Sequence, residues 1–448
     1  MNRTRLPTPV LKILVAANLV LLTTGAFAQT VEQELVKKVD QLTEELAKVK
    51  AKLQELQELQ EQRAAAPAPA PAPVAATPAG AVPTAQAAAA TAPEPAKPSE
   101  PATVLFSYGE INYNRPIHDS QDTLFDLRRF VLGFQHRFDD KNKVVTELEV
   151  EHAVTSADDP GEVEVEQAYI DHILNPTWSA QAGLVLIPAG LLNTKHEPTA
   201  YYGVERNFVE TAIIPTTWRE GGIQITGEFE NGITLQGGVT SGFNLNKWDA
   251  TSTEGQQSPL GSIHQELALA SGHDLSVFGA INWRGVPGLQ LGGSIFTGGA
   301  SQGQPGDPDA RVTLWDLHAR WTPGRWDLAA LYARGTITNT TQFNQQFVGN
   351  PTLIPQSFDG WYLQSAYKLW MHNDYVLMPF ARWEQYNTGR SFADLGPGLT
   401  PEPYKTERVI TVGANFQLTP GIVLKADYQR FRENENSDRF DLGLGWSF

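Results

Sequence analysis

The sequence predicts an all-β protein: a transmembrane antiparallel β-barrel of sixteen strands, preceded by a coiled-coil helix and a Pro/Ala-rich linker. The first observation behind the barrel is strict alternation. In the last segment Phe440, Leu442, Leu444, Trp446 and Phe448 share one face, and small or polar residues occupy the other. The second observation is that tight turns alternate with long polar loops, which places short turns at one rim and long loops at the other. A soluble β-sandwich has no reason to sort its connections in this way.

Sixteen candidate strands follow one another to the C-terminus, with predicted spans of 103–114, 124–138, 142–154, 162–174, 178–188, 221–230, 233–243, 274–285, 289–299, 310–322, 325–336, 358–370, 375–387, 405–419, 422–434 and 437–448. Tight turns such as Asn231-Gly232 and Pro420-Gly421 join alternate pairs. The long connections span 189–220, 244–273, 337–357 and 388–404. An even strand number leaves both ends of the barrel at the short-turn rim, which faces the periplasm in outer-membrane barrels.

Composition narrows the classes of protein that fit. The chain of 448 residues has no cysteine, which excludes disulfides, thiolate nucleophiles and Cys-ligated metal sites. Its net charge of -16 argues against a nucleic-acid partner, because phosphate binding needs a basic face. The mean hydropathy of -0.29 is ordinary for a soluble protein. It is equally compatible with a barrel, since alternation of apolar and polar side chains gives the same average.

Residues 1–28 have the features of a secretory signal peptide. Arg3, Arg5 and Lys12 precede a short apolar run over 13–22, and the sequence then reads Gly-Ala-Phe-Ala before a predicted cleavage site after Ala28. The apolar run is too short to cross about 30 Å of hydrocarbon as a helix. We therefore expect the mature protein to be exported.

Residues 29–63 form a predicted coiled-coil helix in the periplasm. They contain no Gly or Pro, and an apolar seam repeats at alternating spacings of four and three: Leu35, Val39, Leu42, Leu46, Val49, Leu53 and Leu56. The alternative is an amphipathic helix that packs on its own barrel. Residues 64–102, dominated by Ala and Pro, predict an extended spacer that makes such packing less favourable.

The net charge belongs entirely to the barrel. Residues 1–102 hold ten of the 34 basic and ten of the 50 acidic residues, which leaves 24 and 40 for residues 103–448. This acidic excess predicts cation preference or weak selectivity if the barrel conducts ions.

Several segments resemble the phosphate-selective porin O and P family of outer-membrane proteins. They read LRRFVLGF over 127–134, EQAYID over 166–171, AGLVLIPAG over 182–190, ERNF over 205–208 and WREGG over 218–222. The resemblance implies a sixteen-stranded trimer in the outer membrane of a Gram-negative-type bacterium, with its third external loop, here 189–220, folded inward. The basic clusters of that family have no clear counterparts here. The terminal Phe448 is similar to the signal by which such barrels reach the barrel assembly machinery.

The resemblance and the alternation together identify candidate pore residues. In loop 189–220 the predicted constriction residues are Lys195, His196, Glu197, Glu205, Arg206, Glu210, Arg219 and Glu220. The predicted lumen-lining residues of the strands are Arg129, Arg137, Glu147, Glu149, Glu151, Arg284, Arg320, Lys368, Arg382 and Glu384. The alternative for the loop is a solvated segment whose charges have no role in permeation.

The function that these observations favour is passive diffusion through an outer-membrane porin. No motif of a hydrolase, a metalloprotease or a nucleotide-binding enzyme occurs, and the nine histidines are scattered, so we expect no catalysis, no cofactor and no metal site. The alternative is an envelope tether, in which the coiled coil and spacer reach the cell wall and the barrel only anchors them in outer-membrane lipid.

Deletion of residues 31–102 separates these two functions. We expect the shortened chain to form barrels and trimers with unchanged single-channel conductance, because the acidic barrel alone surrounds the lumen. Co-sedimentation with peptidoglycan, measured beside a variant that lacks only 64–102, reports any attachment by the coiled coil. Loss of conductance in folded trimers would contradict a separate stalk.

Overall fold

The computed structural model describes Lys48 and residues 102–448, apart from Ala157 and Pro305. The chain divides into the units Met1–Glu94 and Pro95–Phe448. The signal peptide at 1–28, all but the last residue of the spacer at 64–102, and the coiled-coil seam residues from Leu35 to Leu56 lie outside the described residues, so these predictions stay untested. The following description concerns the second unit.

Sixteen strands form the wall. They are β1 (Thr103–Pro116), β2 (Leu124–Arg137), β3 (Asn142–Glu151), β4 (Val163–Ile173), β5 (Trp178–Leu186), β6 (Arg219–Glu228), β7 (Ile233–Thr240), β8 (Ser276–Val286), β9 (Leu289–Gly299), β10 (Arg311–Trp321), β11 (Trp326–Ile337), β12 (Ser357–Tyr367), β13 (Tyr375–Ser391), β14 (Glu407–Thr419), β15 (Ile422–Phe431) and β16 (Arg439–Ser447). A short segment, Trp370–His372, continues β12 and pairs with the same neighbour, β13. Each predicted strand corresponds to one observed strand.

The sheet closes on itself. Every strand pairs antiparallel with the next, and β1 pairs antiparallel with β16 from Tyr108 opposite Ser447 to Pro116 opposite Arg439. The backbone of Phe448 completes the seam, because its amide donates to the Ser107 carbonyl at 2.9 Å and its carbonyl accepts from the Ser107 amide at 3.1 Å. The predicted closed antiparallel barrel of sixteen strands is confirmed.

The wall has an apolar exterior. On β2, Phe130, Leu132 and Phe134 are exposed by 38%, 49% and 39%, whereas Val131 between them is fully buried. Period-two geometry turns successive side chains to opposite faces of the sheet, so the exposed set forms a continuous outer surface. An outward apolar band of this kind suits contact with lipid.

The short turns are built from residues that terminate strands. Asp139 accepts the amides of Lys141 and Asn142, both at 2.8 Å, in the turn between β2 and β3. Gly232 has a φ of +82° in the turn between β6 and β7, a conformation that residues with a Cβ rarely adopt. These turns lie at the same rim as the start of β1 and the end of β16.

The long connections contain the helical elements. Two short α-helices, α1 (Glu254–Gln257) and α2 (Thr340–Gln346), and a π-turn at Val209–Ile213 occur there. Short 3-10 turns span Ser120–Asp122, Pro198–Ala200, Leu245–Lys247, Gly261–Ile263 and Glu435–Ser437. Among the described residues, no helix combines the length and apolar character needed to cross a membrane.

Three long connections fold inward and share one apolar core with the wall. The loops after β5, β7 and β11 contribute Ile213, Trp218, Phe243, Leu260 and Phe343. From the wall, this core takes inward residues of β8 to β12, including Phe278, Phe296, Leu314, Leu331 and Phe358. Loop side chains therefore fill one side of the interior, which leaves polar residues to line the other.

The orientation of β2 predicts the cost of a misplaced charge. Leu132→Arg should lower the free energy of unfolding by about 2–4 kcal/mol, because it puts a guanidinium on the lipid-facing side near the middle of the strand. Gln135→Arg is the matched control, since residue 135 lies on the inward alternation of the same strand. Urea unfolding in phospholipid vesicles would measure both variants. Equal destabilisation would contradict this orientation.

Candidate functional site

The connection between β5 and β6 crosses the interior of the barrel; residues 187–218 are called the inner loop below. Its backbone reaches strands on the far side of the ring. The Val204 amide donates to Asp427 on β15 at 2.6 Å, and the Phe208 amide donates to Glu384 on β13 at 2.6 Å. The Gly203 amide donates to Asn415 on β14. The inner loop therefore spans the lumen from wall to wall.

Glu210 holds the inner loop together. Its Oε1 accepts the amides of Leu191 and Leu192 at 2.6 and 2.7 Å, and its Oε2 accepts from Asn207 Nδ2 at 2.8 Å and from the Tyr362 hydroxyl at 3.0 Å. Burial raises the pKa of Glu210, and these donors oppose the rise because they stabilise the charged form. One carboxylate thus ties two parts of the loop to each other and to β12.

The second half of the inner loop is apolar and anchors it in the core. Trp218 is fully buried, with its ring centroid 4.5 Å from that of Phe296 and 5.2 Å from that of Phe243. Ile213 and Ile214 are also buried. An Ile-Ile pair that would be unfavourable on an exposed loop is therefore stabilised by contact with the wall and its neighbouring loops.

The first half of the inner loop packs on a charged wall made by β1 and β2. Arg129 Nε donates to Glu110 Oε1 at 2.8 Å, and Arg129 Nη2 donates to the His196 carbonyl at 2.6 Å. The Tyr201 hydroxyl donates to Glu110 Oε2 at 2.6 Å. Each buried charge in this contact has a partner of opposite sign or a hydrogen bond, as burial in a low dielectric requires.

A cavity of about 460 Å³ lies between the inner loop and this wall. Its charged lining consists of Arg128, Arg129, Arg206, Arg439, Glu110, Glu149, Glu151 and Glu205. Four guanidinium groups therefore face four carboxylates. Because Glu151 and Arg439 stand at the long-loop ends of β3 and β16, the cavity lies toward that rim.

A much smaller cavity lies on another side of the inner loop. It has a volume of about 20 Å³, room for a single water, between the loop and inward residues that include Arg320, Tyr362 and Arg382. Tyr201 lines both cavities. The two cavities therefore both border the inner loop.

The structure distributes the predicted constriction residues unevenly. His196, Arg206, Glu210, Arg219 and Glu220 are buried, Glu197 and Glu205 are half-buried, and Lys195 is exposed. Of the eight, Glu205 and Arg206 line the larger cavity. Burial lowers the pKa of Arg206. Arg219 pairs instead with Glu164 and Glu266 at 2.5 and 2.8 Å, where it joins the start of β6 to β4.

Nine of the ten predicted lumen-lining residues follow the alternation of the buried side chains in their strands: Arg129, Arg137, Glu147, Glu149, Glu151, Arg284, Arg320, Arg382 and Glu384. The tenth, Lys368, lies just beyond the end of β12. Arg129, Glu149 and Glu151 line the larger cavity. Arg382 and Glu384 form a buried pair at 2.9 Å that also holds the inner loop. Arg137, Arg284 and Lys368 are exposed near the short-turn rim.

Three charged residues of the larger cavity were absent from the predicted set: Glu110, Arg128 and Arg439. Glu110 follows the alternation of β1 and was available from the sequence. Arg128 was not, because the pairing of β1 with β2 shifts there, from Glu110 opposite Arg129 to Ile111 opposite Leu127. This β-bulge lets the adjacent residues Arg128 and Arg129 both contribute to the cavity, which strict alternation forbids.

A relative establishes the family. The chain is 30% identical over 354 residues to an uncharacterized protein of Aquifex aeolicus (strain VF5), a match that covers 76% of this chain and 79% of the relative. The chain belongs to the family of that Aquifex protein. No protein-family model matches the chain.

Solved structures show the fold of this family member. The structure described as Salmonella typhi OmpF complex with Daunomycin is 14% identical, with a TM-score of 0.54, and the match covers 77% of this chain and 97% of that one. The outer membrane channel DcaP of Acinetobacter baumannii is 13% identical at a TM-score of 0.47, over 77% and 97% of the two chains. The fold is the outer-membrane porin barrel, without a specific assignment to the phosphate-selective family.

The role of Glu210 leads to a test of the inner loop. Glu210→Ala should lower the free energy of unfolding by roughly 2–4 kcal/mol, because it leaves buried amide and hydroxyl donors without an acceptor. Glu197→Ala is the matched control, since that carboxylate is half-buried in the same loop. Urea unfolding and limited proteolysis of the loop would report the effect. Similar stability in both variants would refute the anchoring role.

Proposed function

We propose that the chain is an outer-membrane porin through which small hydrophilic solutes or ions diffuse passively, narrowed by the inner loop. The observation that carries the proposal is the course of that loop. It joins opposite walls and leaves a polar cavity beside it, lined by charges of both signs. A barrel that served only as an anchor would not need a polar passage in its interior.

The charges of the cavity support weak selectivity. Arg129 is paired with Glu110 at 2.8 Å, and Arg439 is paired with Asp441 at 3.0 Å. Because these guanidinium groups are already compensated, they offer little binding energy to a passing anion. The acidic excess of residues 103–448 then favours cations slightly.

We propose that the chain shares ancestry with the phosphate-selective porin O and P family but does not share its selectivity for phosphate. The segments at 127–134, 182–190 and 218–222 support common ancestry with the phosphate-selective porin O and P family. Phosphate capture would need a cluster of basic side chains free to face the ion. The cavity instead offers four arginines among four glutamates, so we propose no phosphate selectivity.

We further propose a homotrimer in the outer membrane, delivered by the barrel assembly machinery through its terminal Phe448. Residues 29–63 would form a periplasmic coiled coil on the spacer 64–102. Attachment of this stalk to the cell wall would add a tethering role to permeation, supported by the heptad seam of the sequence.

Bilayer recordings test the porin proposal. Purified full-length protein should give discrete single-channel openings, and a salt gradient should give a small reversal potential of the sign expected for cation preference. Well-folded barrels without conductance, or with strong anion preference, would contradict the proposal.

Two neighbouring residues of opposite charge allow a test of whether the larger cavity determines ion selectivity. Glu205 and Arg206 both line the larger cavity. Arg206→Gln should raise the cation-to-anion permeability ratio by about two-fold, and Glu205→Gln should lower it by a similar factor, because one elementary charge is removed at the same depth. If both variants keep the cation-to-anion permeability ratio of the wild type, the larger cavity does not lie on the conduction path.

A further inference from the structure

A compact cluster of metal-binding side chains lies where the inner loop meets the wall. Glu147 on β3, Glu166 on β4 and His196 on the inner loop each direct one potential ligand atom to the same place, and these atoms lie within 4.8 Å of one another. All three side chains are buried, with exposures of 7%, 0% and 3%. The scattered histidines of the sequence predicted no such site, because only the course of the inner loop brings His196 to β3 and β4.

A second β-bulge puts Glu166 inside the barrel. The pairing of β3 with β4 shifts from Glu147 opposite Gln167 to Leu148 opposite Val165, which leaves Glu166 as the extra residue. Without the shift, Glu166 would lie opposite the outward-facing Leu148 and would itself face outward. The bulge adds a carboxylate to an inward face that already holds Glu147 and Glu149, although crowding of like charges is unfavourable.

The cluster and the neighbouring Glu149 concentrate buried carboxylate oxygens that have few donors. Within the described part of the chain, Glu147 Oε2, Glu149 Oε1 and Glu166 Oε1 have no hydrogen-bond partner. The nearby guanidinium of Arg129 is committed to Glu110 and to the His196 carbonyl. Burial of unpaired carboxylates is costly, so this concentration of oxygens points to a cation.

His196 is arranged as a metal ligand is. Its Nδ1 lies 2.9 Å from the Asn193 carbonyl, to which it donates, and that bond turns Nε2 toward the cluster. Nε2 lies 3.7 Å from Glu166 Oε1 and 2.7 Å from the Tyr108 hydroxyl. The single hydroxyl proton of Tyr108 is donated to Glu166 Oε2. Nε2 is therefore the ring nitrogen that faces the cluster.

We infer that Glu147, Glu166 and His196 bind a divalent transition-metal cation of the Zn²⁺ type, which fastens the inner loop to the wall. One imidazole with two carboxylates suits Zn²⁺, whereas Ca²⁺ and Mg²⁺ prefer oxygen ligands alone. Tetrahedral Zn²⁺ with bonds of roughly 2.0–2.2 Å separates its ligands by about 3.3–3.6 Å. The distance of 3.7 Å between His196 Nε2 and Glu166 Oε1 is already close to that value.

The site has a structural consequence that is independent of permeation. The inner loop would be bonded at His196 to two neighbouring strands, in addition to its hydrogen bonds with the opposite wall. Metal binding should therefore stabilise the folded barrel by mass action, whether or not the barrel conducts.

Equilibrium dialysis of the full chain tests this inference. The protein is purified without a polyhistidine tag, treated with EDTA, and dialysed against ZnCl₂, with CaCl₂ and MgCl₂ in parallel. We expect one equivalent of Zn²⁺ per chain by elemental analysis, a higher melting temperature with Zn²⁺, and neither effect with Ca²⁺ or Mg²⁺. Absence of Zn²⁺ uptake by folded wild-type protein would overturn the inference.

Variants locate the bound ion. Glu147→Gln, Glu166→Gln and His196→Gln should each weaken Zn²⁺ binding at least about 10-fold, the lower range for loss of a metal-site interaction. His318→Gln is the matched control, because His318 is equally buried and pairs with Asp316 away from the cluster. If Zn²⁺ uptake is unchanged in all three variants, the inferred metal site is wrong. If a variant fails to fold, zinc X-ray absorption of the wild type decides, since it must show imidazole among the ligands.

Discussion

Closure of the sheet is the constraint on which the rest of this structure depends. A β-strand that crosses lipid cannot leave its backbone amides and carbonyls unpaired, so the first and last strands must meet. Here they meet through β1 and β16, and the terminal residue Phe448 exchanges both backbone hydrogen bonds with Ser107. Once the ring is closed, alternation divides every strand into an outward set that contacts lipid and an inward set that must be hydrated, paired or packed.

The interior meets that requirement in two different ways. Apolar inward residues of β8 to β12 pack against Trp218, Phe243 and other side chains of inward-folded loops. Inward residues of β1 to β4 and β13 to β16 include many charged groups, and several of these are paired locally, as in Arg129–Glu110 and Arg382–Glu384. The inner loop belongs to both regions, because its second half lies in the apolar core and its first half contacts the charged wall. Any solute path is thereby restricted to the polar side.

Two β-bulges account for the departures from alternation that concern the site. One brings Arg128 to the larger cavity beside Arg129, and the other turns Glu166 inward beside Glu147 and Glu149. A bulge inserts one unpaired residue into a ladder, so two neighbours can serve the same face. Both bulges lie in the first four strands, which contact the first half of the inner loop. A β-bulge therefore contributes both to the larger cavity and to the cluster that we assign to a metal ion.

The sequence by itself determined the sixteen strands, their closure into a barrel and the inward or outward direction of most side chains, because period-two alternation and turn chemistry are local properties. Glu110 could have been found by the same reasoning. Only the tertiary structure decided which residues of the loop after β5 line the cavity and which hold the loop in place. Glu205 and Arg206 line it, whereas Glu210 binds the backbone of its own loop and Tyr362. The meeting of His196 with Glu147 and Glu166 also belongs to the tertiary structure, since it depends on a bulge and on contacts between residues far apart in the chain. Such contacts leave no periodic trace in the sequence.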